Sequence, residues 1–187
     1  MADDTSTSLL VIYDGWAGYQ QALLSAVMGL TPENLAWRGG EHLRSAGELI
    51  GHIATGRVDW IHDILGVESA EVDEWVEEAC EPGPAHRLKT GIELDADTLC
   101  SGLEATWGMI EEALSNWTVV DLSRTFNHPY QGKTYVVPYQ WVLWRIMAHD
   151  LHHGGELAFA LGMQGIAIPD LGDQGGHLVT PKVVGEE

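Results

Sequence analysis

The chain is short of basic residues, of cysteine and of long apolar runs, and each shortage narrows what it can be. Nine Lys and Arg stand against 28 Asp and Glu, a formal net charge of −19 over 187 residues. So acidic a surface repels phosphate backbones and anionic lipid, which disfavours nucleic-acid and membrane-surface binding. The two cysteines, Cys80 and Cys100, form neither a CxxC pair nor a disulfide framework. They suit a reducing compartment and small packing roles. No stretch reaches the ~18 continuous apolar residues of a membrane span. Met1-Ala2-Asp3-Asp4 is acidic where a secretory leader would be basic. The expectation is a soluble, cytoplasmic protein with no membrane or nucleic-acid partner. Hydrophobic residues, at 45%, are ample for one buried core.

Helical periodicity organises that core. From Leu9 to Leu30, residues Tyr13, Trp16, Tyr19, Leu23 and Val27 recur three and four apart and make one apolar stripe, which Thr31-Pro32-Glu33 ends. Ser45-Ala46-Gly47-Glu48 has the form of a capping box, predicting a helix to about Leu65 that Gly66 stops. Its inner face carries Leu49, His52, Ile53, Gly56 and Trp60. Glu68 to Glu81 reads as a short exposed helix around Trp75, closed by Pro82-Gly83-Pro84. A third long helix starts at an Asp95 or Asp97 cap and runs to about Trp117. Thr118-Val119-Val120 and Thr134-Tyr135-Val136-Val137, with Gln131-Gly132-Lys133 between them, predict a small hairpin. Pro138 then opens a fourth helix that Gly162 ends. The fold class expected is all-α, a four-helix bundle with a β-hairpin before the last helix. One domain is expected over residues 1–165, followed by a C-terminal tail over 166–187.

Nine histidines offer the chemistry. His149 and His153 are four apart in a predicted helix, so they project from one face about a turn apart and can converge on one metal ion. Asp150-Leu151-His152 between them supply no Glu of the HExxH type, so a metalloprotease would lack its base. His152 points about 100° away. Val142, Ile146 and Leu157 share the stripe of the pair, which aims both imidazoles into the bundle. A buried polar group left unpaired costs roughly 1–3 kcal/mol, and a divalent cation is a strong common partner. A pair satisfied by hydrogen bonds or by solvent is the structural alternative. His52, on the inner face of the second helix, is the third candidate. Gly56, one turn on, either leaves space beside it or serves close helix packing. His62 lies about 80° off that face on a 100°-per-residue helix, towards solvent.

Gly47-Glu48-Leu49-Ile50-Gly51-His52-Ile53-Ala54, with Trp60 eight residues after the histidine, resembles the second helix of the DinB/YfiT-like proteins. Met147-Ala148-His149-Asp150-Leu151-His152-His153-Gly154-Gly155-Glu156-Leu157 resembles their last-helix signature, and Leu30 to Arg38 their first interhelical loop. The resemblance implies an up-down-down-up four-helix bundle with a long crossover, frequent homodimers, and a metal held by His52, His149 and His153. Zinc or nickel is the usual ion of such a site. Members that use low-molecular-weight thiols in transferase or isomerase reactions are also part of it.

Three imidazoles with open positions are the layout of a catalytic site. The function expected is therefore a metal-dependent enzyme acting on a small molecule, by thiol-dependent transfer or isomerisation or by hydrolysis. A non-catalytic metal-binding or stress-response bundle is the alternative. Asp150 and Glu156 are candidates to accept an imidazole N–H. Arg145 and Arg57 are either carboxylate anchors or, more simply, surface or ion-paired residues. Asp59 shares the face of His52 two turns away, and Glu104 and Glu111 matter only if their helix turns them inward. Trp16, Trp60, Trp107 and Trp141 read as core, with Trp141 and Trp144 alternatively lining a mouth above the metal.

Overall fold

The apolar stripes become four long helices: α1 (Asp14–Val27), α3 (Ala46–Leu65), α5 (Ala96–Asn116) and α6 (Tyr139–Met163). This computed structural model describes residues 8–67, 69–78, 86–89 and 91–168, the side chains of 63–65 and 78 excepted. Cys80 and residues 169–187 of the expected tail lie outside the described residues. α3 packs against both α5 and α6, and α1 closes the bundle against α5. Leu23, Ile50, Ile53, Leu103, Ile146 and Leu157, fully buried, form its centre. Beyond α6, Ile166 and Ile168 pack on this core.

The start signals read from the sequence are real caps. Ser45 Oγ accepts from Glu48 N while the Glu48 carboxylate accepts from Ser45 N, and Asp95 accepts from Thr98 N at the head of α5. Gly66, in the left-handed conformation, stops α3.

Elsewhere the structure departs from the sequence reading. The first helix is not continuous from Leu9. A 3-10 turn over Leu9–Val11 precedes α1, because this segment is drawn to the end of α5. Leu9 N donates to Trp117 O at 3.3 Å and Ser8 Oγ to Leu114 O at 3.0 Å. Thr31-Pro32 does not merely end a helix but starts a short one, α2 (Pro32–Ala36), with Thr31 and Asn34 capping each other and Pro32 in the first turn. The expected exposed helix around Trp75 is only α4 (Ala70–Asp73), and Trp75 itself is buried against Gly102 of α5. An unforeseen antiparallel pair follows it, β1 (Val76–Glu78) with β2 (His86–Leu88), whose Leu88 rests on Gly51 of α3.

The hairpin exists but begins later than expected. β3 (Thr125–Tyr130) pairs with β4 (Lys133–Pro138) around Gln131-Gly132, both at positive φ as a two-residue hairpin turn demands. Thr118 is taken up instead by Asp121, which accepts from its N and Oγ1 at 2.9 and 2.8 Å and turns the chain into a 3-10 turn over Asp121–Ser123.

Candidate metal centre

α3 and α6 lie antiparallel, so that His52 faces His153, Gly56 faces His149 and Trp60 faces Trp141. The three imidazoles meet in this seam with ring centroids 4.5–4.8 Å apart, and one nitrogen from each lies within 4.8 Å of the others. His153 is 9% exposed, and His52 and His149 are partly covered. Gly56 makes the approach possible. A Cβ built there would stand 2.4 Å from Cε1 of His149, inside the ring's own space.

The chemistry of this donor set fits a divalent cation. His149 Nε2 and His52 Nε2 are 3.3 Å apart. Two imidazole nitrogens sharing a tetrahedral ion at about 2.0–2.1 Å are separated by about 3.3–3.4 Å. His149 Nδ1 is buried and has no hydrogen-bond partner among the described residues. Burial, with the Arg44 charge next in weight, pushes His52 down to about 4, and burial with the charges of His153 and His52 pushes His149 down to about 3. Both rings are therefore neutral near pH 7, the form that ligates.

The third imidazole is oriented by Glu156. His153 Nδ1 lies 2.7 Å from Glu156 Oε2, and the hydrogen bond from His153 holds that carboxyl below the usual carboxylate range. An ionised carboxylate only accepts, so Nδ1 carries a proton and Nε2 is the nitrogen left to hold a metal. His152, on the outer face, reaches the other oxygen of Glu156 at 3.4 Å.

Asp150 behaves otherwise than its neighbours in sequence suggested. It lies about 100° round α6 from His149 and is fully buried. Arg57 Nη2 approaches its Oδ2 at 2.9 Å, Arg57 Nε donates to the same carboxylate, and Trp16 Nε1 donates to Oδ2 at 3.0 Å. Arg57, equally buried, also donates to Gln20 Oε1 at 2.9 Å, to Leu103 O and to Thr106 Oγ1. Tyr19 OH donates to Asp150 O at 2.7 Å. Burial pushes the Asp150 carboxyl up, against the pull of the Arg57 guanidinium. Neither residue is free to accept an imidazole proton or to anchor a substrate carboxylate.

The sequence pattern of the DinB superfamily matches residues 17–157. The chain belongs to the DinB superfamily. Its fold is similar to that of a DinB-like protein from Bacillus cereus ATCC 10987, with a TM-score of 0.64 and 19% identity over 88% of this chain and 98% of that one. It is also similar to the DinB-like protein YjoA of Bacillus subtilis, with a TM-score of 0.58 and 18% identity over 84% of this chain and 94% of that one. At these identities the likeness is one of fold. No curated protein matches the chain.

The other sequence candidates of this DinB chain fall away from the histidines. Asp59 accepts from His86 N at 2.6 Å and from its Nδ1 at 3.1 Å. His62 lies beside Asp73 and His86. Glu104 and Glu111 are exposed. Trp16 is core as expected, but Trp141 and Trp144 are 46% and 55% exposed, so core does not describe them. Cys100 is partly buried, and burial pushes its thiol up, away from nucleophilic use. A cavity of about 380 Å³ lined by Pro32, Arg38, Ser45, Glu48 and Leu94 includes none of the three histidines. Sequence reading missed Arg44, whose charge bears on both His52 and Glu156. It also missed the polar set around Arg57. An arginine next to Gly56 on a helix face that reads as core was the available signal.

Proposed function

We propose that this DinB protein is a metal-dependent enzyme whose divalent ion is held by His52, His149 and His153. The observation that carries the reading is the 3.3 Å approach of two part-buried imidazole nitrogens, in a cluster where His149 Nδ1 has no partner among the described residues. Glu156 fixes the tautomer of His153, Gly56 gives His149 its place, and burial keeps His52 and His149 unprotonated. A bound divalent ion with an open position supplies a Lewis acid that activates water or a thiol and polarises a carbonyl. The protein's own part is to present three imidazole donors from two helices. Zinc or nickel is the ion we expect for an all-imidazole set, although ligand type alone does not separate them from copper or iron. For the reaction we favour transfer or isomerisation with a low-molecular-weight thiol, or hydrolysis at an activated carbonyl, on a small-molecule substrate in the cytoplasm.

The test is metal content by mass spectrometry of untagged protein beside a His52→Ala/His149→Ala variant. Near one equivalent of zinc or nickel is expected in the wild type and none in the variant, with the circular dichroism of both alike. A wild type that holds no metal and takes up neither ion on reconstitution would overturn the reading. So would a variant that keeps its metal.

A further inference from the structure

Four of the six arginines stand in ion pairs: Arg38 with Glu48, Arg57 with Asp150, Arg87 with Glu77 and Arg124 with Asp121. With 28 Asp and Glu for nine Lys and Arg, a guanidinium that has no carboxylate is the exception. Arg44 and Arg145 are those exceptions: both are exposed, and neither is in an ion pair among the described residues. They are also the two that flank the three histidines. Arg145 stands one turn before His149 on α6, and Arg44 immediately precedes the Ser45 cap of α3, eight residues before His52. The charges of both help to hold His52 below its usual range, and that of Arg145 acts on His149 as well. The carboxylates nearest to them in sequence along these two helices are engaged elsewhere: Asp150 by Arg57 and Trp16, Glu156 by His152 and His153, and Glu48 by Arg38. A surface of net charge −19 repels small anions over most of its extent, so a pair of uncommitted guanidinium groups marks the place where one is captured.

Beyond Arg145 the preceding turn of α6 carries Trp141, which is 46% exposed. Its ring meets Trp60 of α3 edge-on at 5.3 Å, and Trp60 meets His128 of β3 at 5.4 Å. Trp60 and His128 are themselves only partly covered. Rings from three elements thus brace one another and still face outward, a flat apolar surface of fixed shape. Trp141, Arg145 and His149 are four apart, so they follow one another at about 6 Å intervals along one side of α6. The order along the helix is aromatic wall, cation, imidazole cluster.

We propose that the three-histidine cluster takes a small-molecule carboxylate that also bears a planar apolar group, with the carboxylate on Arg145 and the planar group against Trp60, Trp141 and His128. A lone guanidinium fork matches a carboxylate with two parallel N–H donors. Arg44, on the other side of the cluster, adds to the pull on the anion. The inference rests on the metal-dependent reading for what becomes of the ligand, whereas the anchor and the wall belong to the chain itself.

Calorimetric titration of 3-phenylpropionate into the metal-free and the zinc-loaded protein tests it, beside 3-phenylpropionamide and propionate. The wild type is expected to bind 3-phenylpropionate in both forms, and the amide and propionate each roughly tenfold more weakly or worse. Arg145→Gln and Trp141→Leu should each lower the affinity of the metal-free protein roughly tenfold, with zinc content and melting unchanged. Arg87→Gln, at an arginine paired with Glu77 on β2, should bind as the wild type does. No binding to either form of the wild type would overturn the inference, as would equal binding of the amide or an Arg145→Gln variant of unchanged affinity. Binding that needs zinc and ignores Arg145→Gln would place the carboxylate on the ion, overturning the arginine site and leaving the metal reading intact. A wild type that takes up no zinc yet binds 3-phenylpropionate through Arg145 would keep the anion site and overturn the metal reading.

Discussion

His149 and Asp150 are neighbours in sequence, about 100° apart round one helix, and stand in opposite situations of hydrogen bonding. Around Asp150, an arginine, a tryptophan, a tyrosine and a glutamine satisfy one another's donors and acceptors across α1, α3, α5 and α6. Around His149, three imidazoles face one another, one ring nitrogen has no partner among the described residues, and the carboxylate of Glu156 bonds to His153. The first cluster is closed and asks for nothing further. The second leaves a buried ring nitrogen without a partner among the described residues. Burial by itself therefore says little about role, and the state of hydrogen-bond satisfaction separates a structural polar cluster from a binding one.

Substitutions can break that contrast. The largest effect is expected at the closed cluster. Arg57→Ala or Asp150→Ala leaves a buried charge without its partner and should cost about 3–5 kcal/mol in urea unfolding. Replacing both, as Arg57→Met with Asp150→Leu, should cost less than the two single losses combined, since neither charge is then stranded. Additive losses would mean that the two residues act separately.

Gly56→Ala comes next and should split stability from binding. The substitution favours the helix by about 1 kcal/mol, but the new Cβ would occupy the place of the His149 ring. Metal affinity should fall further than on loss of a hydrogen-bond partner, while melting of the metal-free protein holds or rises. Glu156→Ala removes such a partner from His153 and should weaken metal binding roughly 10- to 100-fold by calorimetric titration, with little change in melting. A variant with unaltered affinity would make Glu156 a surface residue only. The smallest effect is expected far from both clusters: Ser45→Ala removes one half of the α3 capping box and should cost about 1 kcal/mol with metal binding intact.

Much of this was legible in the sequence because it rests on local rules. Capping residues, the 3.6-residue stripe and the four-residue spacing of His149 and His153 are properties of single helices, and the inward face of His52 follows from the same periodicity. Even the space at Gly56 could be suspected. What stayed hidden depends on long-range pairing. Nothing local tells that Trp75 would be buried on α5, or that β1 would find β2 across residues 79–85. Thr118-Val119-Val120 has strand propensity, yet the hydrogen bonds to Asp121 claim Thr118 first. Arg57 read as a surface or ion-paired residue; the ion pair is there, but its burial could not be foreseen, because a buried guanidinium is costly until Asp150, Gln20 and Thr106 arrive from three other helices. Trp141 read as core, or alternatively as lining a mouth, because helical spacing does not distinguish a face packed in the bundle from one left exposed.

The most direct measurement is the melting temperature of metal-free protein with and without added zinc, for the wild type and for His149→Ala. A ligand that binds only the folded state stabilises it by about 2.7 kcal/mol at a hundredfold excess over its dissociation constant. The wild type should therefore melt several degrees higher with zinc, and His149→Ala should melt at one temperature in either condition. A wild type indifferent to both zinc and nickel, or a His149→Ala protein stabilised as strongly as the wild type, would contradict the assignment of the three histidines to a metal.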